Sequence, residues 1–191
     1  MVVFSPVYII FAFLIFWEDK HWPFYTQTRV GKNGEPFTIY KFRSMVHNAD
    51  EILFKKDKEL YKKMRTGNNK AEDDYRRTKV GKFIRKYSID EMPPMLNVLL
   101  GQQSVVGPRA LRPDEYRDYE SRGKSQAEKL KIMNTVKPGV TGYWQVNGRS
   151  NVDFDNRMDM DCYYAKNISF MLDLKIIVKT PIAVVIGEGA Y

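Results

Sequence analysis

The sequence predicts an α/β (α+β) fold, mostly helical, with one small β-hairpin and an apolar N-terminal helix that enters a membrane without crossing it. Three observations carry that prediction. Residues 1–17, MVVFSPVYIIFAFLIFW, are continuously apolar except for Ser5 and then change abruptly to EDKHWP. Residues 23–45 set two runs of aromatic and β-branched residues on either side of Lys32-Asn33-Gly34, which is a hairpin signature. Most of the remaining chain repeats apolar residues at helical spacing between breaks rich in Gly and Pro.

The N-terminal run is short of the about 20 apolar residues that span a bilayer as a helix. It lacks the basic start and the small-residue cleavage site of a signal peptide. Pro6 lies within it, where a proline removes a backbone hydrogen bond and kinks a helix. Two readings stay open, a buried core helix and a membrane-embedded segment that enters and returns. Trp17 and Trp22 stand at its polar end, where interfacial anchors belong.

In the hairpin's second strand Lys41 and Arg43 share one face and Tyr40 and Phe42 the other. Solvent exposure and a binding role are equally open for the two cations. An amphipathic helix follows from Ala49 to about Met64, with Leu53, Leu60, Tyr61 and Met64 along one stripe, and RTGNNKAEDD ends it as a polar loop. YRRTKVGKFIRKYS is dense in cations. A helix from Met92 or Pro94 to Leu100 stops at Gly101, and another covers Arg112 to Lys131, opened by Pro113 and two acids. KPGVTGYWQVNGR reads as a glycine-rich loop ending in Arg149. SFMLDLKIIVKTPIAVVIG reads as a helix broken at Pro181, either interfacial or part of the core with snorkelling lysines.

With 191 residues the chain suits one domain, and its 28% charged residues exclude both a disordered polymer and a multi-pass membrane protein. A net charge of +8 favours anionic partners: nucleic acid, phosphorylated small molecules or an acidic membrane surface. The single cysteine, Cys162, excludes an internal disulfide and a cysteine-cluster metal site. With only His21 and His47 available as imidazoles, any metal should be a hard cation held by carboxylates and phosphate oxygens.

Against that basic background, SIDEMPPMLNVLLGQQSVVGPRA sets Asp90 beside Glu91 ahead of two prolines. Ser88 and Glu91 have capping-box spacing, which would make the acids structural. Pro93 and Pro94 would then sit too deep in the helix, so a start between Asp90 and Pro93 fits better, with both acids at the helix mouth. A carboxylate kept ionised there can act as a nucleophile, and its neighbour can share a Mg²⁺ that offsets the charge of a diphosphate. Arg85, with Lys82 and Lys86 near it, precedes the pair, and Arg109 follows in VVGPR. Such cations bind a phosphate that an isolated acid pair would repel. A cluster of solvated surface charges is the rival reading.

The segments KFRSM, TKVGKFIRKYSIDEMPPMLNVLLGQQSVVGPRA, KPGVTGYWQVNGR and YYAKNISFMLDLKIIVKT resemble, in order and over nearly the whole chain, the bacterial sugar transferases. These are the monotopic polyprenyl-phosphate phosphoglycosyl transferases. The resemblance implies transfer of a sugar-1-phosphate from a UDP-sugar to undecaprenyl phosphate with release of UMP, by a Mg²⁺-dependent ping-pong reaction. It implies that Asp90 is the nucleophile, forming an aspartyl phosphosugar, and that Glu91 assists at the metal or in orientation. Arg85 would hold a phosphate and Arg109 the nucleotide diphosphate. Lys41, Arg43 and Arg149 fall in matching segments as further substrate-binding candidates.

The same resemblance implies a re-entrant membrane helix kinked at Ser5-Pro6, with residues 1–17 as part of it. Residues 18–191 would be a catalytic domain with interfacial helices, on the cytoplasmic face of the bacterial inner membrane. Only four residues precede Ser5, fewer than the family usually has, so the first half of the membrane hairpin is expected to be missing. Pro94 stands where glutamine is common and Ala110 where a second proline is common. GRSNVDFDNRMDMDCYYAKN most resembles the hexose-1-phosphate transferases that start capsule, O-antigen or exopolysaccharide chains, which implies UDP-glucose or UDP-galactose as donor. An inactive membrane-associated scaffold of the same fold is the alternative. A nucleic-acid-binding module would leave the apolar run and the acid pair unexplained, so no nucleic-acid partner is expected. Oligomer formation stays open.

Overall fold

The apolar run folds as helix α1 (Ser5–Asp19), with Pro6 in the first turn, where its missing N–H breaks no helical bond. A kink at Ser5-Pro6 would involve residues 1–4; the computed structural model describes residues 5–58, 74–148 and 152–186. Along α1, Tyr8, Phe11, Ala12 and Ile15 recur at helical spacing and pack into one cluster with Phe24, Phe42, Val80, Ile84 and Ile89. Ile9, Ile10, Phe13, Leu14, Phe16 and Trp17 point the other way and are exposed. The core reading therefore holds for one face of the helix, and the other face is apolar and exposed. Among the described residues, no helix is long and apolar enough to cross a membrane.

The expected hairpin forms. Strands β1 (Phe24–Val30) and β2 (Pro36–Phe42) pair antiparallel from Phe24↔Phe42 to Val30↔Pro36. A 3₁₀ turn over Lys32–Gly34 joins them, with Asn33 and Gly34 at φ 58° and 81°. Helix α2 (Ala49–Lys56) buries Leu53, while Leu60, Tyr61 and Met64 lie outside the described residues. Helix α3 (Lys79–Lys86) is N-capped by the Thr78 hydroxyl, which accepts from the Gly81 N–H at 2.9 Å.

Helix α4 is shorter than expected, Met95–Leu99, and ends at Gly101, which takes φ 73°. Its Asn97 is fully buried. The side-chain amide donates to the Thr38 carbonyl (2.7 Å) and to Gln102 Oε1 (2.8 Å), and its oxygen accepts from the Tyr40 N–H, which ties α4 to β2.

The single helix expected over Arg112 to Lys131 is two, α5 (Pro113–Ser121) and α6 (Lys124–Met133). Gly123 separates them at φ 152°, a conformation that L side chains rarely adopt. The expected loop over 137–149 instead holds strand β4 (Gly139–Thr141) and helix α7 (Tyr143–Asn147). β4 pairs parallel with β3 (Ser104–Val106). The glycines there serve close approach: a Cβ on Gly107 would meet the Lys137 carbonyl oxygen at 2.5 Å and the Gly139 nitrogen at 2.6 Å.

Helix α8 (Phe154–Lys166) packs on α6 through Met158 and Cys162, in a cluster with Leu111, Tyr119, Leu130 and Met133. Helix α9 (Phe170–Ile186) runs through Pro181, correcting the expected break. A proline removes one N–H from the ladder, and only five residues follow it in the helix. Beside it, the Thr180 hydroxyl donates to the Ile176 carbonyl at 2.8 Å. Ile176 faces the core with Val106 and Tyr164, while Phe170 is 81% exposed along with Met171, Val178 and Ile182.

Candidate active site

The acid pair sits in a 3₁₀ turn, Ile89–Glu91, between α3 and α4. Ser88 enters that turn in the left-handed region, at φ 53°, and its side chain caps nothing, so the capping box does not form. Nor do the acids stand in the first turn of α4, which begins four residues beyond Glu91 and is only five residues long. The N–H of Met92 donates to the Ile89 carbonyl (3.1 Å) and that of Met95 to the Met92 carbonyl (3.0 Å), so successive tight turns lead from the pair into α4. The two prolines fit this path. Neither has an N–H to contribute, and Pro94 sits directly before the helix, where none is needed.

Asp90 is half-buried, and Ile89 beside it packs against the cluster of α1, the hairpin and α3. Arg85 lies in the last turn of α3, and both α3 and β2 pack against the acid turn. Lys41, also half-buried, sits on β2 opposite Tyr25. Arg43 lies one residue past β2 and is only 9% exposed. Its Nη2 is 2.5 Å from Asp19 Oδ1 and 2.9 Å from the His21 carbonyl, so this guanidinium grips the end of α1. Arg149 lies outside the described residues.

Arg109 belongs to a second cluster, which follows β3 through Gly107-Pro108. Its backbone N–H donates to Asp161 Oδ2 at 3.2 Å, and its guanidinium lies over the Trp144 ring, 5.8 Å from the centroid. The chain after it is fastened to β1: the Val30 N–H donates to the Leu111 carbonyl (2.8 Å) and Arg29 Nη1 to the Ala110 carbonyl (3.1 Å). Arg157 on α8 lies over the other side chains of this region, 5.4 Å from the Trp144 centroid and 4.5 Å from that of Phe154. Arg29 and Arg112 pair with Glu115, at 3.7 Å and 3.6 Å.

Positive charge outweighs negative in this cluster. Burial, and then the field of Arg109, push the guanidinium pKa of both Arg29 and Arg157 down to about 10, which leaves them charged at neutral pH. Burial pushes the Glu115 carboxyl up, but Arg109, Arg112 and Arg29 together hold it below its ordinary value. Asp161 is fully buried, and burial raises its pKa to about 7 despite the Arg109 N–H and the nearby guanidiniums. Arg109 Nε, Arg157 Nε and Nη2, and Trp144 Nε1 are buried without a hydrogen-bond partner among the described residues. Four guanidiniums gathered around Glu115 and Asp161, with Asp114 pairing Arg112 at 3.2 Å, suit an anionic group of more than one charge.

Sequence reasoning found Arg109 and missed Arg29, Arg157, Asp161 and Trp144. The available signal was weak: an arginine in a strand, and the run RMDMD, whose i and i+4 members face one side of α8. β2 relates the two clusters. Phe42 at one end packs with Ile89 of the acid turn, and Phe37 and Ile39 nearer the other end pack on Ala110, next to Arg109. Among the described residues, no group of three or more His, Cys, Asp or Glu side chains could hold a metal. Two adjacent carboxylates are still a suitable donor set for Mg²⁺, which keeps most of its shell for water and substrate phosphates.

The profile of the family described as bacterial sugar transferase matches residues 1–187. The chain is 37% identical over its whole length to the exopolysaccharide production protein ExoY of Sinorhizobium fredii, covering 82% of that protein. It is 46% identical over 87% of its length to the galactosyl transferase CpsE of Streptococcus agalactiae, of which it spans 35%. It is 38% identical over its whole length to the undecaprenyl-phosphate galactose phosphotransferase of Salmonella typhimurium, of which it spans 39%. With a match over nearly every residue, the chain belongs to the bacterial sugar transferase family.

Proposed function

We propose that the chain transfers a sugar-1-phosphate from a UDP-sugar to undecaprenyl phosphate, releasing UMP, through a covalent intermediate on Asp90. Its family membership makes it a phosphoglycosyl transferase. The observation that carries the mechanism is the acid turn itself. Asp90 neither caps α4 nor belongs to its first turn, and it stands beside the helix that carries Arg85.

In the first step a carboxylate oxygen of Asp90 attacks the sugar-side phosphorus. The bond to the bridging oxygen breaks, and UMP leaves with that oxygen and its electron pair. In the second step a phosphate oxygen of the lipid attacks the same phosphorus, and the Asp90 carboxylate departs unchanged. Arg109, in its cationic cluster, holds the diphosphate and stabilises the charge that grows on the leaving UMP. Arg85 steadies the transferred phosphate. Mg²⁺, when held by Asp90 and Glu91, supplies charge compensation for the diphosphate. Lys41 and Arg43 support the strand and the end of α1 next to the acid turn.

The exposed apolar faces of α1 and α9 support a monotopic seat on the cytoplasmic face of the inner membrane, with the Ser5-Pro6 pair at the re-entrant turn. UDP-glucose and UDP-galactose are the donors proposed, the second supported by two relatives named for galactose transfer. The product would start an exopolysaccharide, capsule or O-antigen chain. The test is release of UMP from a panel of UDP-sugars with Mg²⁺ and undecaprenyl phosphate in detergent or vesicles. An inactive scaffold releases none from any donor. With labelled sugar phosphate and no acceptor, label should stay on the protein until hydroxylamine removes it.

A further inference from the structure

We infer that Tyr8 is a positioning residue for the acid pair: by holding the carbonyl of Met92, its hydroxyl makes the geometry of the Asp90-Glu91 turn depend on the seating of the N-terminal helix. The inference rests on the proposed role of Asp90 and adds a residue to it.

Tyr8 is 84 residues from Met92 in sequence, yet its hydroxyl donates to the Met92 carbonyl at 2.6 Å. That carbonyl already accepts from the Met95 N–H, which opens α4, at 3.0 Å. It is therefore the point where the acid turn passes into the next helix. Residue 89, on the other side of the pair, is also fixed from α1: Ile89 packs against the cluster to which Tyr8, Phe11, Ala12 and Ile15 contribute. The two acids thus lie between two attachments, one apolar and one hydrogen-bonded, and α1 takes part in both. The Tyr8 ring lies 5.6 Å from that of Phe42, which fixes the direction of its hydroxyl.

Two further contacts tie the far end of α1 to the same machinery. The carboxylate of Glu18 accepts from the N–H groups of Lys79 (2.6 Å) and Val80 (3.1 Å), the first residues of the helix that carries Arg85. Asp19 holds Arg43 just past β2. One face of α1 therefore grips the acid turn, the Arg85 helix and the end of β2, while its other face is apolar and exposed. A helix so connected transmits any change in how its exposed face is seated.

Tyr8→Phe removes the hydroxyl and keeps the ring. Losing one hydrogen bond that shapes the transition state should lower kcat by about five- to tenfold. The KM for the UDP-sugar should stay within about twofold, because the diphosphate grip lies elsewhere. Lys124→Ala, exposed at the start of α6 and outside both clusters, should leave kcat unchanged. A merely structural Tyr8 would instead lower the amount of folded enzyme and leave kcat per folded molecule at the wild-type value, and that result would overturn the inference. Hydrogen exchange separates this inference from the assignment of the activity. Amides of a peptide covering residues 89–96 should exchange faster in Tyr8→Phe than in wild type, whether or not a donor is turned over. Unchanged exchange there overturns the brace even in an active enzyme. Faster exchange in a protein that releases no UMP from any donor upholds the brace and removes the assigned activity.

Discussion

The acid turn and the arginine cluster handle charge in opposite ways. Asp90 stands half-exposed in a turn backed by an apolar cluster, whereas Arg29, Arg109, Arg112 and Arg157 gather in a largely buried region around the carboxylates of Glu115 and Asp161, with Asp114 pairing Arg112 at its edge. Guanidinium groups can be placed this way because even at a pKa of about 10 they keep their charge at neutral pH. A carboxylate among them behaves differently. Glu115 is held below its ordinary range by Arg109, Arg112 and Arg29 once burial has been overcome, and a group so stabilised is a poor nucleophile. In the proposed mechanism, keeping Asp90 apart from the densest cations would preserve its reactivity and leave the cations for the phosphates.

The largest effect should come from the acid side. Asp90→Asn removes the attacking oxygen's charge and should abolish UMP release, by more than about a thousandfold, with the fold intact. Circular dichroism and detergent-phase elution should match wild type. An active Asp90→Asn variant would remove the covalent route and leave direct attack by the lipid phosphate.

On the cationic side the effect should be smaller and graded. Arg109→Ala removes one charge-assisted contact, worth about 1.5–3 kcal/mol, so kcat/KM should fall by about 10- to 150-fold. Lys at the same position should recover only part of this, because the planar fork over Trp144 is lost. If Arg109→Ala turns over at the wild-type rate, the cluster is a structural network and not a phosphate grip.

How legible these regions were follows from the range of the interactions involved. The hairpin and the apolar helix α1 were readable, since Lys32-Asn33-Gly34 and an unbroken apolar run are local patterns, whereas the face of α1 that packs was not. Asp90, Glu91, Arg85 and Arg109 drew notice because an acid pair, two prolines and flanking arginines crowd a short stretch. The turn that holds the acids was misjudged, because Ser88 adopts a left-handed backbone that its identity does not announce. Arg157 and Asp161 reach Arg109 only through the pairing of β3 with β4 and the docking of α8, and no pattern within 10 residues encodes either. Gly139 was taken for a loop residue, although the missing side chain is what lets that strand pair form.

Asp161 offers a measurement of medium size that leaves catalysis aside. Its carboxyl titrates at about 7 in the fold against an ordinary 3.8, so the unfolded chain releases this proton first as pH rises. Its contribution to stability is therefore fully present below the ordinary value and declines through the window up to the folded value, by at most about 1.4 kcal/mol per pH unit. Asp161→Asn cannot titrate. Denaturation of the two proteins in the same detergent should show wild type losing ground to the variant between about pH 4 and pH 7, with a constant difference above that. Parallel curves would mean that Asp161 is already ionised in the fold, and the cluster would then be closer to neutral than its burial implies.

The smallest effect is expected at Ser88, where its sign carries the information. An L residue in the left-handed region costs about 1–2 kcal/mol, and Ser88 sits there at φ 53° with no capping hydrogen bond to offset it. Ser88→Gly relieves that cost but adds freedom to the unfolded chain, which takes back about 0.4–1 kcal/mol. The variant should therefore be more stable than wild type by up to about 1.6 kcal/mol. If Ser88 capped the acid turn, the same change would lower stability by a few tenths. Activity should move the other way from stability, because glycine loosens the backbone two residues before Asp90 while Ile89 and Met92 stay fastened to α1. A variant that gains stability and loses turnover would place part of the cost of holding the nucleophile in the backbone of Ser88. One that loses both would return the turn to an ordinary helix cap.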